Sequence, residues 1–195
     1  MKTSETSGDI YQLKITLVGS SNPPIWRRIL APASMSLAQL HDAIQLVFGW
    51  QECHLHEFTA GHERYGPPDP DDDFGGLPPP TSERKTKLPA VLGWVKARLN
   101  YTYDFGDGWE HAIVTEKILA PDAALAYPIC TAGKGHCPPE DCGGLGGYYD
   151  LLKVLSNPKD PEYAGKLEWV GGPIDKDEFS VADADRRLRL MRKKR

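Results

Sequence analysis

The sequence predicts one α+β domain spanning residues 1–195, an antiparallel or mixed sheet covered by helices. Three observations carry this. Strand-like runs with alternating apolar residues cluster near the start and again in the middle of the chain, where a tight turn signal joins two of them. Capped amphipathic helices are interspersed among them and close the chain. Neither side of the one long proline-rich stretch holds enough secondary structure for an independent core, which leaves a single domain.

Ile10 to Leu17 (IYQLKITL) puts Tyr11, Leu13, Ile15 and Leu17 on one face and reads as a half-buried strand. After the turn residues Gly19 to Pro24, Ile25 to Leu30 (IWRRIL) is its hairpin partner, with Arg27 and Arg28 expected on or near an exposed face. Ser36 with Gln39 has capping-box spacing, Leu37, Leu40, Ile44, Val47 and Phe48 form a helical stripe, and Gly49 stops the helix. Leu55 to Ala60 reads as a strand with a short partner through Tyr65. Arg98 to Phe105 and Glu110 to Leu119 are strands joined across Asp107-Gly108. Tyr127 to Gly147 is rich in Cys, Gly and Pro, and a helix begins at Tyr148 and ends before Asn157-Pro158. A short helix follows around Glu162 to Trp169. Ser180 caps a final helix with Val181, Ala184, Leu188 and Met191 on one side.

A chain of 195 residues buries about 70% of its unfolded surface on folding, so a sizeable core is feasible. Five tryptophans, eight tyrosines and 40% hydrophobic residues argue for a folded chain. Two segments are expected outside the core: a flexible start over residues 1–9, and a loop from Gly66 to Thr86, whose six prolines and acidic Asp69 to Asp73 cannot offset their ordering entropy. No apolar run is long enough to span a membrane, and Met1 to Asp9 offers nothing a signal peptidase would recognise. The expected setting is the cytoplasm, with no membrane partner, and the four cysteines are then thiols or metal ligands rather than disulfides.

A formal charge of −4 gives no global attraction to phosphate, so nucleic-acid contact would have to be local. The candidates are Arg27 and Arg28 beside Trp26, and the basic end formed by Arg186, Arg187, Arg189, Arg192, Lys193, Lys194 and Arg195, of which residues 192–195 form a tail. Blocks of like charge are commonly solvated surface, which is the competing reading.

Cys130, Cys137 and Cys142 lie in a loop that could gather thiolates, and a closed zinc site would need a fourth ligand from His136, His111, His54 or His56. Their spacing is not the paired C-x2-C of zinc ribbons, and small packed thiols are the alternative. Asp104, Asp107 and His111 crowd one hairpin, with Glu140 and Asp141 in a loop that could fold nearby. Such a set can bind a divalent ion or act in acid and base roles, while Asp104 and Asp107 are also residues a tight turn demands. His41, His54 and His56 concentrate imidazoles around the end of the first helix. The glycines at 143, 144, 146 and 147 match neither a phosphate-binding loop nor a dinucleotide fingerprint.

Four segments, PIWRRIL from Pro24, LHDAIQLVFGWQECHLHEF from Leu40, YTYDFGDGWEH from Tyr101 and PPEDCGGLGGY from Pro138, together resemble the Ri-plasmid open-reading-frame-three family over about Ile10 to Leu190. The loop at 66–86 and the basic extension are departures from that pattern. Some members of the family carry an insertion-sequence passenger-protein label, and the resemblance implies no established reaction and no list of catalytic residues. With no recognisable catalytic geometry, the expectation is a non-enzymatic binding or accessory module of plasmid or mobile-element biology, with nucleic acid or protein as partner. The alternative is a metal-dependent hydrolase or nuclease built on Asp104, Asp107 and His111.

Overall fold

In the computed structural model, which describes residues 8–67 and 78–193, eight strands form a single sheet in the order β5-β4-β3-β6-β7-β1-β2-β8. They are β1 (Ile10–Leu17), β2 (Trp26–Pro32), β3 (His56–Ala60), β4 (Glu63–Gly66), β5 (Thr81–Ser82), β6 (Arg98–Tyr103), β7 (Trp109–Leu119) and β8 (Ile129–Lys134). All neighbours are antiparallel except β4 and β5, so the sheet is mixed and the α+β expectation holds. Five helices accompany it: α1 (Leu37–Phe48), α2 (Leu88–Leu92), α3 (Gly144–Leu155), α4 (Tyr163–Val170) and α5 (Val181–Lys193).

The period-two pattern of β1 does what its sequence demands: Tyr11, Leu13, Ile15 and Leu17 are all buried. Their face meets the stripe of α1, where Leu37, Leu40, Ile44 and Val47 lose all exposure. Helix α5 packs on both α1 and β8 and completes that layer through Ala184, Leu188 and Met191. On α1 the capping box forms as its spacing predicts, with Gln39 N donating to Ser36 Oγ at 3.3 Å and Ser36 N donating to Gln39 Oε1 at 3.0 Å. Gly49 ends the helix at φ 93°, a left-handed conformation that glycine adopts without steric cost.

The structure departs from the sequence reading at several points. Helix α3 starts at Gly144, four residues before the expected Tyr148, because the glycines supply its first turn rather than a loop. Gly147 sits so close to the preceding turn that a Cβ there would lie 1.8 Å from the carbonyl oxygen of Cys142. The Cys, Gly and Pro-rich stretch contributes strand β8, and α2 is a short helix that no periodicity announced. Strand β5 falls inside the expected 66–86 loop, whose acidic cluster from Asp69 to Asp73 lies outside the described residues.

Arg27 is the main correction within the fold. It shares the inward face of β2 with Ile29 and Ala31 and is only 2% exposed, whereas Arg28 alternates to the open face. The carbonyls at the end of α1 explain this. Arg27 Nε donates to Val47 O at 3.1 Å, and Arg187 Nε donates to Leu46 O at 2.6 Å, so two cations meet the electronegative end of the helix.

Candidate functional site

At one end of the sheet, the 50–55 segment, the turn after β6 and the 138–142 loop converge and gather imidazoles and carboxylates. The segment is fixed by Trp50, whose Nε1 donates to Pro138 O at 3.0 Å, and by Gln51 N, which donates to Glu140 Oε2 at 3.0 Å. Tyr103 adds a second stitch: its hydroxyl donates to Glu140 Oε1 and accepts from Cys53 N at 3.0 Å.

His41 projects from α1 into this region and is 3% exposed. Its ring stacks on His56, with centroids 3.5 Å apart and planes 7° apart. Nδ1 lies 2.8 Å from the Tyr101 hydroxyl, to which Gln45 Nε2 also donates at 3.1 Å. Burial, reinforced by the neighbouring His56, pushes the His41 pKa down to about 3, so the ring is neutral at physiological pH. Its Nε2 is buried and makes no hydrogen bond. The nearest carboxylate oxygen to that nitrogen, Glu52 Oε1, is 3.5 Å away. One nitrogen of His41 and single carboxylate oxygens of Asp42 and Glu52 all lie within 4.8 Å of one another. These residues border a cavity of about 610 Å³, which His56 and its partner Glu83, 2.8 Å away, also line.

A second group adjoins the first along the chain. His54 Nε2 is 3.2 Å from Asp141 Oδ1 and 3.6 Å from Asp104 Oδ2, and again makes no hydrogen bond. Glu52, Asp104 and Asp141 share a left-handed backbone, with φ of 60°, 56° and 59°. For Asp104 the turn supplies the reason, since its Oδ1 accepts from Gly106 N at 2.9 Å and its carbonyl accepts from Gly108 N at 2.7 Å.

The expected site residues distribute unevenly over this geometry. Asp104 and Asp141 come together, but with His54 rather than with Asp107 and His111. Asp107 instead ties the turn to the start of α3, accepting from Gly143 N at 3.2 Å. His111 follows the parity of β7 inward and is wholly buried, edge-on to Phe48 and Trp50, with Nδ1 donating to Trp109 O at 3.0 Å. The hairpin therefore does not present Asp104, Asp107 and His111 as one catalytic set. Glu140 is engaged by Tyr103 and Gln51.

The thiol zinc site is also corrected. Among the described residues, no three of Cys130, Cys137, Cys142 and the four histidines bring ligand atoms within 4.8 Å of one another. Cys130 lies in the core on β8 and points its thiol toward Ala132 O, while Cys142 points toward Gly144 O. Burial pushes the Cys130 thiol up to about 11 and those of Cys137 and Cys142 up to about 12, so they stay protonated. His136 is half-buried and lines a cavity with Arg27 and Arg187, with a pKa lowered by burial.

The basic candidates are largely committed. Arg28 pairs with Glu116 at 2.6 Å, Arg186 with Asp183 at 2.7 Å and Arg189 with Asp185 at 3.3 Å, while Arg27 and Arg187 serve the end of α1. The side chains of Arg192 and Lys193, and all of Lys194 and Arg195, lie outside the described residues. His41, His54 and His56 stand out in the sequence, whereas Asp42, Glu52 and Glu83 do not. The signal was present in the run Trp50 to His56 (WQECHLH), where an acid and two histidines alternate with other residues.

An eight-stranded mixed sheet, a helical layer over one face and a histidine and carboxylate cluster at the sheet end define a class of small α+β proteins. The chain belongs to the plasmid pRiA4b ORF-3-like protein family, whose model matches residues 9–183. It is 36% identical over 162 residues to the uncharacterized protein y4hQ of Sinorhizobium fredii (strain NBRC 101917 / NGR234), a match covering 83% of this chain and 81% of that one. The crystal structure of a protein of unknown function, MM3350 from Methanosarcina mazei Go1, is similar with a TM-score of 0.79 and 39% identity, covering 91% of this chain and 97% of that chain. The family has no established function, so any activity must be argued from the site itself.

Proposed function

We propose that the chain is a divalent-cation-binding module, with His41, Asp42 and Glu52 as protein ligands. The observation that carries this is the buried His41 Nε2, neutral and without a hydrogen bond, facing a carboxylate. A buried polar atom in that state costs about 1–3 kcal/mol, which a metal bond would recover. The distances suit a small ion. Zinc with bonds of about 2.0–2.2 Å in tetrahedral geometry needs donors roughly 3.3–3.6 Å apart, and His41 Nε2 to Glu52 Oε1 is 3.5 Å. The mixed nitrogen and oxygen set favours zinc or manganese over calcium. The Tyr101 hydroxyl, by accepting from Nδ1, would fix the ring with its Nε2 lone pair free. Three protein ligands leave a coordination position for water or a bound partner.

No helix among the described residues is long and apolar enough to cross a membrane, and all four cysteines are free thiols, which supports a reducing cytoplasmic setting. The family description supports a plasmid-associated role. Zinc and manganese titrations by calorimetry test the proposal on the wild-type chain, His41→Ala and Glu52→Gln. One ion per chain, lost in both variants, is expected. Because the Glu52 side chain is 63% exposed, Glu52→Gln should fold normally. Unchanged binding in that variant would place the ion elsewhere.

A further inference from the structure

On the other side of the 50–55 segment a cavity of about 640 Å³ opens between the end of α1, the 136–141 loop, the 169–174 segment and the start of α5. Arg27 and Arg187 both line it. The Arg27 guanidinium lies between the rings of Phe48 and Phe179, 4.8 and 4.0 Å from their centroids. Gly133 makes this possible, because a Cβ there would come within 2.3 Å of the Phe179 ring. Arg27 Nε donates to Val47 O, and Nη1 donates to Trp26 O at 2.9 Å and Lys134 O at 2.8 Å. These are carbonyls, and Nη2 makes no hydrogen bond among the described residues. Arg187 uses only Nε, on Leu46 O.

Two guanidinium charges thus line one cavity, and neither forms an ion pair among the described residues. The end of α1 supplies only about half a negative charge, and burial lowers the Arg27 pKa to about 10. A buried cation without an anion is costly enough that such groups are ordinarily paired. Three carboxylates around the cavity face other groups: Asp183 pairs with Arg186, Glu140 accepts from Tyr103 and Gln51, and Asp141 lies 3.2 Å from His54 Nε2. Glu178 also lines the cavity and forms no ion pair with either arginine among the described residues.

We propose that this cavity binds the oxyanion of a small organic acid or phosphate monoester, held by Arg27 Nη2 and the terminal nitrogens of Arg187. Guanidinium groups match carboxylate and phosphate oxygens in geometry and charge. The volume falls within the range for small-molecule sites, and Trp169, 48% exposed on the cavity wall beside Ile174, offers an apolar surface for the body of the ligand.

The test is calorimetric titration of the full chain with inorganic phosphate and with benzoate, at constant chloride, in the Glu52→Gln background so that no cation at the first site contributes. Saturable binding of either probe at millimolar concentration or below is expected, and which one binds tells phosphate from carboxylate ligands. Arg187→Gln should weaken it about tenfold or more, the effect of losing a charge-assisted hydrogen bond. Arg27→Lys is the second variant, with folding checked by circular dichroism. Absence of saturation by both probes, or equal affinity in folded Arg187→Gln, would overturn the assignment.

Discussion

Lowering the pH should destabilise this protein through His111, and the size of the effect follows from its surroundings. The ring has no exposed surface, and burial is the first cause holding its pKa at about 3 against 6.5 for a free imidazole. The unfolded chain therefore takes up a proton that the folded chain refuses. The contribution is fully present above pH 6.5 and is lost as pH falls through the window from 6.5 toward 3. Each pH unit in that window costs about 1.4 kcal/mol, so His111 alone should remove about 2 kcal/mol by pH 5. His111→Leu has nearly the same volume and no proton to gain, although it leaves Trp109 O without its donor and should cost about 1 kcal/mol at neutral pH. Urea denaturation followed by tryptophan fluorescence at about pH 7.5 and pH 5 measures both terms. His41, also held at about 3, titrates alike in both proteins and cancels in the comparison. The variant should lose about 2 kcal/mol less than the parent over this range. Parallel losses would refute the reasoning, because they would mean that His111 accepts its proton without unfolding.

Gly147→Ala should destabilise the chain by at least about 2 kcal/mol in the same denaturation assay, because its new Cβ would fall 1.8 Å from the backbone oxygen of Cys142. Truncation after Met191 removes the basic tail while keeping Leu188 and Met191, which the core requires. If the tail carries nucleic-acid affinity, binding to a DNA oligonucleotide by fluorescence anisotropy should fall and its salt dependence flatten, with the melting temperature unchanged. Deletion from Arg186 onward would confound this by removing the α5 core residues.

Elements whose signal is local were legible in the sequence. The alternation of β1, the capping box of α1, the β6–β7 hairpin and the Ser180 cap of α5, where Asp183 N donates to Ser180 Oγ at 3.1 Å, all depend on residues a few positions apart. What failed depends on partners far along the chain. Strand β8 (ICTAGK) is short and carries Ala and Gly, weak strand formers, and it exists because β2 offers it an edge through Arg28–Ala132 and Ile29–Cys130 pairing. Arg27 looked like surface because arginine usually is, and it goes inward because the carbonyls of Val47 and Lys134 lie where only the fold brings them. The cysteines failed as ligands for a related reason: proximity in a glycine-rich loop does not decide which way a thiol points.

The 51–54 segment, between α1 and β3, is likewise placed by distant partners. Gln51 and Cys53 border the cavity with the two arginines, whereas Glu52 and His54 border the cavity with His41. Alternate residues thus face opposite cavities, and one stretch of backbone separates the cavity with His41 from the one with Arg27 and Arg187. Such a thin partition must be held rigidly if the two cavities are to stay separate. Trp50, stacked on Phe48 and Tyr103 with ring centroids 5.2 and 5.1 Å away and 7% exposed, holds its start. The Tyr103 hydroxyl, bonded to Cys53 N and Glu140, holds its middle. These aromatic residues thus also fix the geometry of both proposed sites.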